Sequence, residues 1–141
     1  MLFKVLVLDS ISDLGIQKLY DAEDVEVDKR NTLPEEELIS IIADYDAMLV
    51  RSQTKVTERV MEAAVRLKVV GRAGVGVDNI NLDAATKRGI VVINAPDGNT
   101  IATSELTFAM MMSIARSIPQ AYKKDGFRRM GPQICRRRTA Q

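Results

Sequence analysis

Phe3-Lys4-Val5-Leu6-Val7-Leu8-Asp9 is a β-rich run that closes on an acid, and the stretch after it, Ile11 to Tyr20, sets Leu14, Ile16, Lys18 and Leu19 at helical spacing. The same alternation continues outward along the chain. Val25-Glu26-Val27 alternates with charge and reads as a short edge strand. Thr32-Leu33-Pro34-Glu35 reads as a helix start, with Thr32 as N-cap, Pro34 in the first turn and Glu35 closing a capping box. Leu38, Ile41 and Ile42 give that helix its apolar face. Asp46 to Val50 is a third strand, and a helix from about Thr57 to Leu67 turns Val60, Met61, Ala64 and Val65 inward. Val69-Val70-Gly71 is strand four. Asn81 caps a helix that stops at Lys87-Arg88-Gly89, where cations meet the negative helix end and glycine supplies the left-handed exit. Ile90 to Ile93 is strand five, and Thr100 to Arg116 is a long apolar helix that Pro119 bends or ends.

Strands that alternate with helices predict an α/β fold with parallel pairing and crossover helices. Five of them give a flavodoxin-like three-layer sandwich, its five-stranded parallel sheet in the order 2-1-3-4-5. Ligands of such sheets sit beyond the carboxyl ends of the strands. Those ends are Asp9-Ser10, Val50-Arg51-Ser52, Gly71-Arg72-Ala73-Gly74-Val75-Gly76 and Asn94-Ala95-Pro96, and two of the four carry an arginine.

Gly71 to Asn79 is the most informative of these ends. Glycines at a strand's end let the backbone turn sharply and offer N–H groups to an anion, and Arg72 adds a planar donor fork. The stretch is not a dinucleotide fingerprint. After Gly74 and Gly76, the third position of Gly-x-Gly-x-x-Gly is Asn79. Arg51 has two readings: it converges with Arg72 on an anionic ligand, or it pairs in solvent with an acid such as Glu58. Asn99 likewise is either a ligand contact or simply the N-cap of the long helix. Met110, Met111 and Met112 read as core or interface filling.

Composition narrows the chemistry. At 141 residues, 46% hydrophobic and 28% charged, the chain suits one globular domain that needs no staple. Its single Cys135 forms no internal bridge, no apolar run reaches membrane length, and no signal segment precedes the first strand. A cytoplasmic location with no membrane partner follows as the expectation. The 141 residues include no histidine, so there is neither a usual proton acceptor for hydride transfer nor a metal-ligand cluster. Residues 1–122 carry 13 basic against 18 acidic side chains, a net of −5, whereas residues 123–141 carry 7 against 1, a net of +6. A basic tail can signal nucleic acid. Here another origin is preferred, and no nucleic-acid partner is expected.

Three blocks resemble one family. Val50-Arg51-Ser52-Gln53-Thr54-Lys55-Val56-Thr57, then Val69 to Asn79, then Asn94-Ala95-Pro96-Asp97-Gly98-Asn99-Thr100 are similar to the D-3-phosphoglycerate dehydrogenases, a branch of the D-isomer-specific 2-hydroxyacid dehydrogenases. The resemblance runs from Met1 to about Lys124. It implies a 1–124 substrate-binding domain of an enzyme that oxidises 3-phosphoglycerate with NAD to start serine synthesis. It also implies that Arg51, Ser52, Arg72, Gly74, Val75 and Asn99 match substrate contacts, and that Val75 also approaches the nicotinamide. The family's catalytic arginine, glutamate and histidine, and its glycine-rich fingerprint, match nothing in these residues. The expectation is a fragment that is inactive alone and binds no NAD by itself.

After about Asp125 the chain departs from the family. Met130-Gly131 must be encoded ATG-GGN, which holds TGG, tryptophan, one base along, and the shifted frame can spell the family's own continuation. Residues 125–141 are therefore expected to be a frameshifted, non-native tail that does not pack. The 100–117 helix is more apolar than one sheet face requires, so a homodimer is expected, formed through that helix or by its exchange between protomers. The competing reading is a free-standing flavodoxin-like binding or dimerisation module.

Overall fold

A computed structural model describes residues 2–125. The expectation of an unpacked tail falls on residues outside that range, apart from Asp125. Two units follow one another along the chain, the first to Gly98 and the second from Asn99.

In the first unit, strands β1 (Phe3–Val7), β2 (Val25–Lys29), β3 (Ala47–Val50), β4 (Val69–Arg72) and β5 (Val91–Asn94) form one sheet in the order β2-β1-β3-β4-β5. Every pairing is parallel. Helices α1 (Asp13–Tyr20), α2 (Glu35–Ile41), α3 (Glu58–Ala63) and α4 (Leu82–Arg88) are the crossovers, and a 3-10 turn over Ile42–Asp44 extends α2. This is the α/β order that the alternation of patterns predicts.

Period-two side-chain alternation divides the core. Leu6 of β1 and Leu8 just after it join Met48 and Val50 of β3, Val70 of β4, and Leu38, Val60, Met61 and Ala84 from α2, α3 and α4. Val5 and Val7 point the other way, to Ile11 and Ile16 of α1. Burial of each large side chain is worth about 1.5–3 kcal/mol, so the α2–α3–α4 face dominates stability. On β5 only Val92 packs into that core, while Val91 and Ile93 are 56% and 53% exposed.

Several local expectations change. Thr32 does not cap α2: the N-cap position is Pro34, with no side-chain cap, and the Thr32 hydroxyl lies instead 2.9 Å from a carboxylate oxygen of Asp9. Val65 is 72% exposed because α3 stops at Ala63 and the chain leaves the helical conformation at Ala64. Leu14 is exposed on the outer side of α1, whose inward residue is Ile16. The α4 reading stands in full, since Asn81 accepts from the Ala84 N–H at 2.9 Å and Gly89 adopts φ 69°.

The second unit holds α5 (Thr100–Ala115) and α6 (Ile118–Asp125). Ser117 takes φ 53° between them, and Pro119 falls in the first turn of α6, where its missing N–H costs nothing. No residue of α5 is buried.

Candidate functional site

Register puts the strand ends side by side. Val50, Arg72 and Asn94 are paired across β3, β4 and β5, and Val7 pairs with Leu49. The segments that leave these strands therefore emerge along one edge of the sheet.

Asp9 and Ser10 leave β1 with φ of 63° and 51°. The Asp9 side chain, 2% exposed, is turned into the loop after β3. It accepts the N–H groups of Arg51 and Thr54 at 2.8 and 2.9 Å, the Thr54 hydroxyl at 2.6 Å and the Thr32 hydroxyl at 2.9 Å. Burial alone would raise its pKa. The hydrogen bonds from Thr54, Arg51 and Thr32 outweigh that and hold the carboxyl below its ordinary range.

Asn79 reaches the same loop from the far end of the glycine turn. Its Nδ2 donates to the carbonyls of Arg51 and Thr54, both at 2.7 Å. A bridge between Val56 and Ile80 continues the contact, with Val56 N–H on the Asn79 carbonyl at 2.8 Å and Asn81 N–H on the Val56 carbonyl at 2.9 Å.

The glycine turn folds over its own arginine. Gly74 N–H bonds the Arg72 carbonyl at 2.9 Å, a tight reversal, and Ala73 N–H bonds the Val50 carbonyl at 2.8 Å. A Cβ at Gly74 would stand 2.6 Å from Arg72 Nη1, and one at Gly76 would stand 3.8 Å from it. Gly74 thus makes room for the guanidinium, whereas the close neighbour of a Cβ at Gly76 would be Asp78 Oδ1 at 2.9 Å. Asn94 holds the turn from β5 by donating to the Val75 carbonyl at 2.6 Å, and Ala95 N–H adds a bond to the Gly74 carbonyl at 3.0 Å.

One donor is left over. Arg72 Nε is buried and finds no acceptor among the described residues, which is costly unless something supplies one. Arg51 is exposed and forms no ion pair among them; Glu58 pairs with Lys87 at 3.8 Å instead. Ser52 is exposed, and Val75 is 42% exposed at the rim. The first unit therefore brings Arg51, Ser52, Arg72, Gly74 and Val75 to one edge. Asn99 belongs to the second unit, where it holds the N-cap position of α5 with φ −136° and no capping side-chain bond. Asp9, Thr54 and Asn79 were not singled out by pattern. The available signal was an acid at the end of β1 and an asparagine where a fingerprint glycine would stand.

The arrangement offers two guanidinium groups to an anion, while the Ala73 and Gly74 N–H groups of the turn are already bonded to the Val50 and Arg72 carbonyls. Among the described residues no group of His, Cys, Asp or Glu could hold a metal ion. No helix among them is long and apolar enough to cross a membrane.

The profile of the D-isomer specific 2-hydroxyacid dehydrogenase family, catalytic domain, matches residues 5–137. The chain belongs to that family. Among its relatives is D-3-phosphoglycerate dehydrogenase of Synechocystis sp., 54% identical over 120 residues, which covers 85% of this chain and 21% of the relative. The Bacillus subtilis enzyme of the same name is 52% identical over 120 residues, with 85% and 22% covered. A crystal structure of NAD+-bound 3-phosphoglycerate dehydrogenase from Entamoeba histolytica superposes with a TM-score of 0.67 at 28% identity, covering 93% of this chain and 42% of that one. The chain spans about a fifth of the length of these curated relatives.

The glycine turn lacks the third glycine of a pyrophosphate-cradling Gly-x-Gly-x-x-Gly, where Asn79 stands instead. The glycine turn that would have to cradle a pyrophosphate is filled by Arg72, whose Nη1 sits against Gly74.

Proposed function

We propose that this segment recognises the phosphorylated substrate of a cytosolic, NAD-dependent oxidation of 3-phosphoglycerate, and that it does not turn that substrate over alone. The single observation that carries the reading is the strand register, which pairs Val50 with Arg72 and so sets Arg51 and Arg72 at adjoining strand ends, neither in an ion pair among the described residues. A carboxylate or phosphate oxygen answers both, and arginine forks match such planar or trigonal acceptors. Ser52 and the backbone at Gly74 and Val75 complete the contact. Val75 is also the one contact to the nicotinamide that we assign here. The similarity to phosphoglycerate dehydrogenases supports this choice of substrate.

The test is titration of the 141-residue chain with 3-phosphoglycerate, D-glycerate and inorganic phosphate, followed by amide shifts. Saturable shifts at Arg51, Ser52 and Arg72, stronger for 3-phosphoglycerate than for D-glycerate, are expected. Shifts elsewhere would refute the assignment, and NADH formation from 3-phosphoglycerate and NAD by the pure chain would refute the inactivity.

A second reading, a dimerisation module, has one observation in its favour. Phe108, Met112 and five other large apolar residues of α5 are exposed on a helix with no buried residue. Under it a homodimer forms through the 100–117 helix, by face-to-face packing or by exchange.

A further inference from the structure

The loop that presents Arg51 and Ser52 is gripped at both ends and on both polar edges. At Arg51 the N–H is held by Asp9 at 2.8 Å and the carbonyl by Asn79 at 2.7 Å. At Thr54 the N–H is held by Asp9 at 2.9 Å and the carbonyl by Asn79 at 2.7 Å. Two side chains thus take up all four main-chain groups of the two residues that bracket Ser52 and Gln53. They come from opposite sides, Asp9 from the end of β1 and Asn79 from the turn after β4. Neither grip is a by-product of regular structure. Asp9 is turned into the loop by a backbone at φ 63°, a conformation that a side chain adopts at some cost. Asn79 spends both amide hydrogens on the two carbonyls and leaves its own oxygen buried without a partner among the described residues.

Such an arrangement fixes the direction in which Arg51 and Ser52 leave the main chain. Binding groups held in place before the ligand arrives lose less freedom on binding. We propose that Asp9 and Asn79 are positioning residues that act as a two-jawed clamp on the Arg51–Thr54 loop and set its side chains for a phosphate-bearing ligand. The proposal rests on the reading that Arg51 and Ser52 contact that ligand.

The sign of one substitution separates a clamp from a nearby charge. Asp9 carries a negative charge beside an anion site, so Asp9→Ala would tighten anion binding if only Coulomb repulsion mattered. A clamp predicts the reverse. Alanine leaves the Arg51 and Thr54 N–H groups without the carboxylate oxygen they share, and the loop would open.

The measurement is the dissociation constant of 3-phosphoglycerate, with inorganic phosphate as the second probe, for the wild-type 141-residue chain, Asp9→Ala and Asn79→Ala. Each is taken well below the variant's melting temperature. Leu38→Ala, a core change far in sequence from the loop, controls for lost stability. The expected result is about tenfold weaker binding for Asp9→Ala and Asn79→Ala, the loss typical of a removed supporting hydrogen bond, and none for Leu38→Ala. Amide exchange at Arg51 and Thr54 rises in both loop variants. Unchanged or tighter binding in the two loop variants overturns the clamp. If Asp9→Ala does not fold, Asn79→Ala decides the question, since it removes the other jaw with no change of charge. If the wild-type chain takes up neither probe, the ligand reading fails by itself, and amide exchange alone then decides whether the clamp holds the loop.

Discussion

Arg72 Nη1 lies 2.6 Å from where a Cβ of residue 74 would stand, so Gly74 is the floor on which the guanidinium rests. Gly74 does not take a positive φ, and the atom in the way is the far end of a flexible side chain. Gly74→Ala is therefore expected to change stability by about 1 kcal/mol or less while pushing the guanidinium out of place. Affinity for 3-phosphoglycerate should fall by about tenfold or more, since a small misplacement of a binding group is costly. Urea unfolding and titration of the same sample check both halves. A large loss of stability with affinity retained would contradict the account.

Asp9 also makes the fold acid-sensitive. Its folded pKa is depressed, so the stabilisation it gives is complete above the unfolded value, near 3.8, and is lost as pH falls through the lower folded value. Asp28, held down chiefly by Arg30, and Asp46, held down chiefly by the Lys4 N–H, act in the same window and with the same sign. The urea midpoint of the wild type should drop steeply below about pH 4. Asp9→Asn should be less stable at pH 7 and show a shallower acid slope. Parallel slopes would remove Asp9 from this role.

Tyr45 titrates in the opposite direction. Burial first, and then its hydrogen bond to Asp28, raise the phenol from 10.0 to about 12. A raised pKa stabilises the fold fully below the unfolded value and loses that contribution as pH climbs through the folded one. The difference in phenolate absorbance between the wild type and Tyr45→Phe should therefore have its midpoint near pH 12. A midpoint near 10 would mean that the phenol is open to water. Tyr45→Phe should cost about 1 kcal/mol at pH 7, because Asp28 loses a donor.

The apolar residues of α5 lead to an expectation of mass. Phe108→Glu combined with Met112→Lys, one helical turn apart, should convert a homodimer to a monomer in light scattering, with little effect on the melting temperature of the first unit. A wild-type monomer at high concentration would end the dimer reading.

How far the sequence could be read follows the range of each contact. Asn81 and Gly89 were legible because a cap bonds to a residue three or four positions away. Strand order was legible because both core faces of β1 and β3 are apolar and the helices between them leave little topological choice. Thr32 was misread because the pattern of a local cap does not reveal that its hydroxyl is taken by Asp9, 23 positions earlier. Val65 was misplaced because the period continued past the point where α3 ends. The arginines and the glycine turn stood out as types. Asp9 and Asn79 did not, for their partners lie 23 to 45 positions away and no spacing rule links them. The turn itself was taken for an open row of N–H groups, whereas much of its space is occupied by Arg72.

The left-handed exit at Asp9 and Ser10 also bears on the order of folding. The backbone N–H groups that donate to the Asp9 carboxylate, those of Arg51 and Thr54, arrive only once β3 lies beside β1, so during most of the search the kink is a liability with nothing to offset it. Its interactions belong to the late side of the barrier. Weakening them should speed escape from the native state and leave the rate of reaching it nearly untouched.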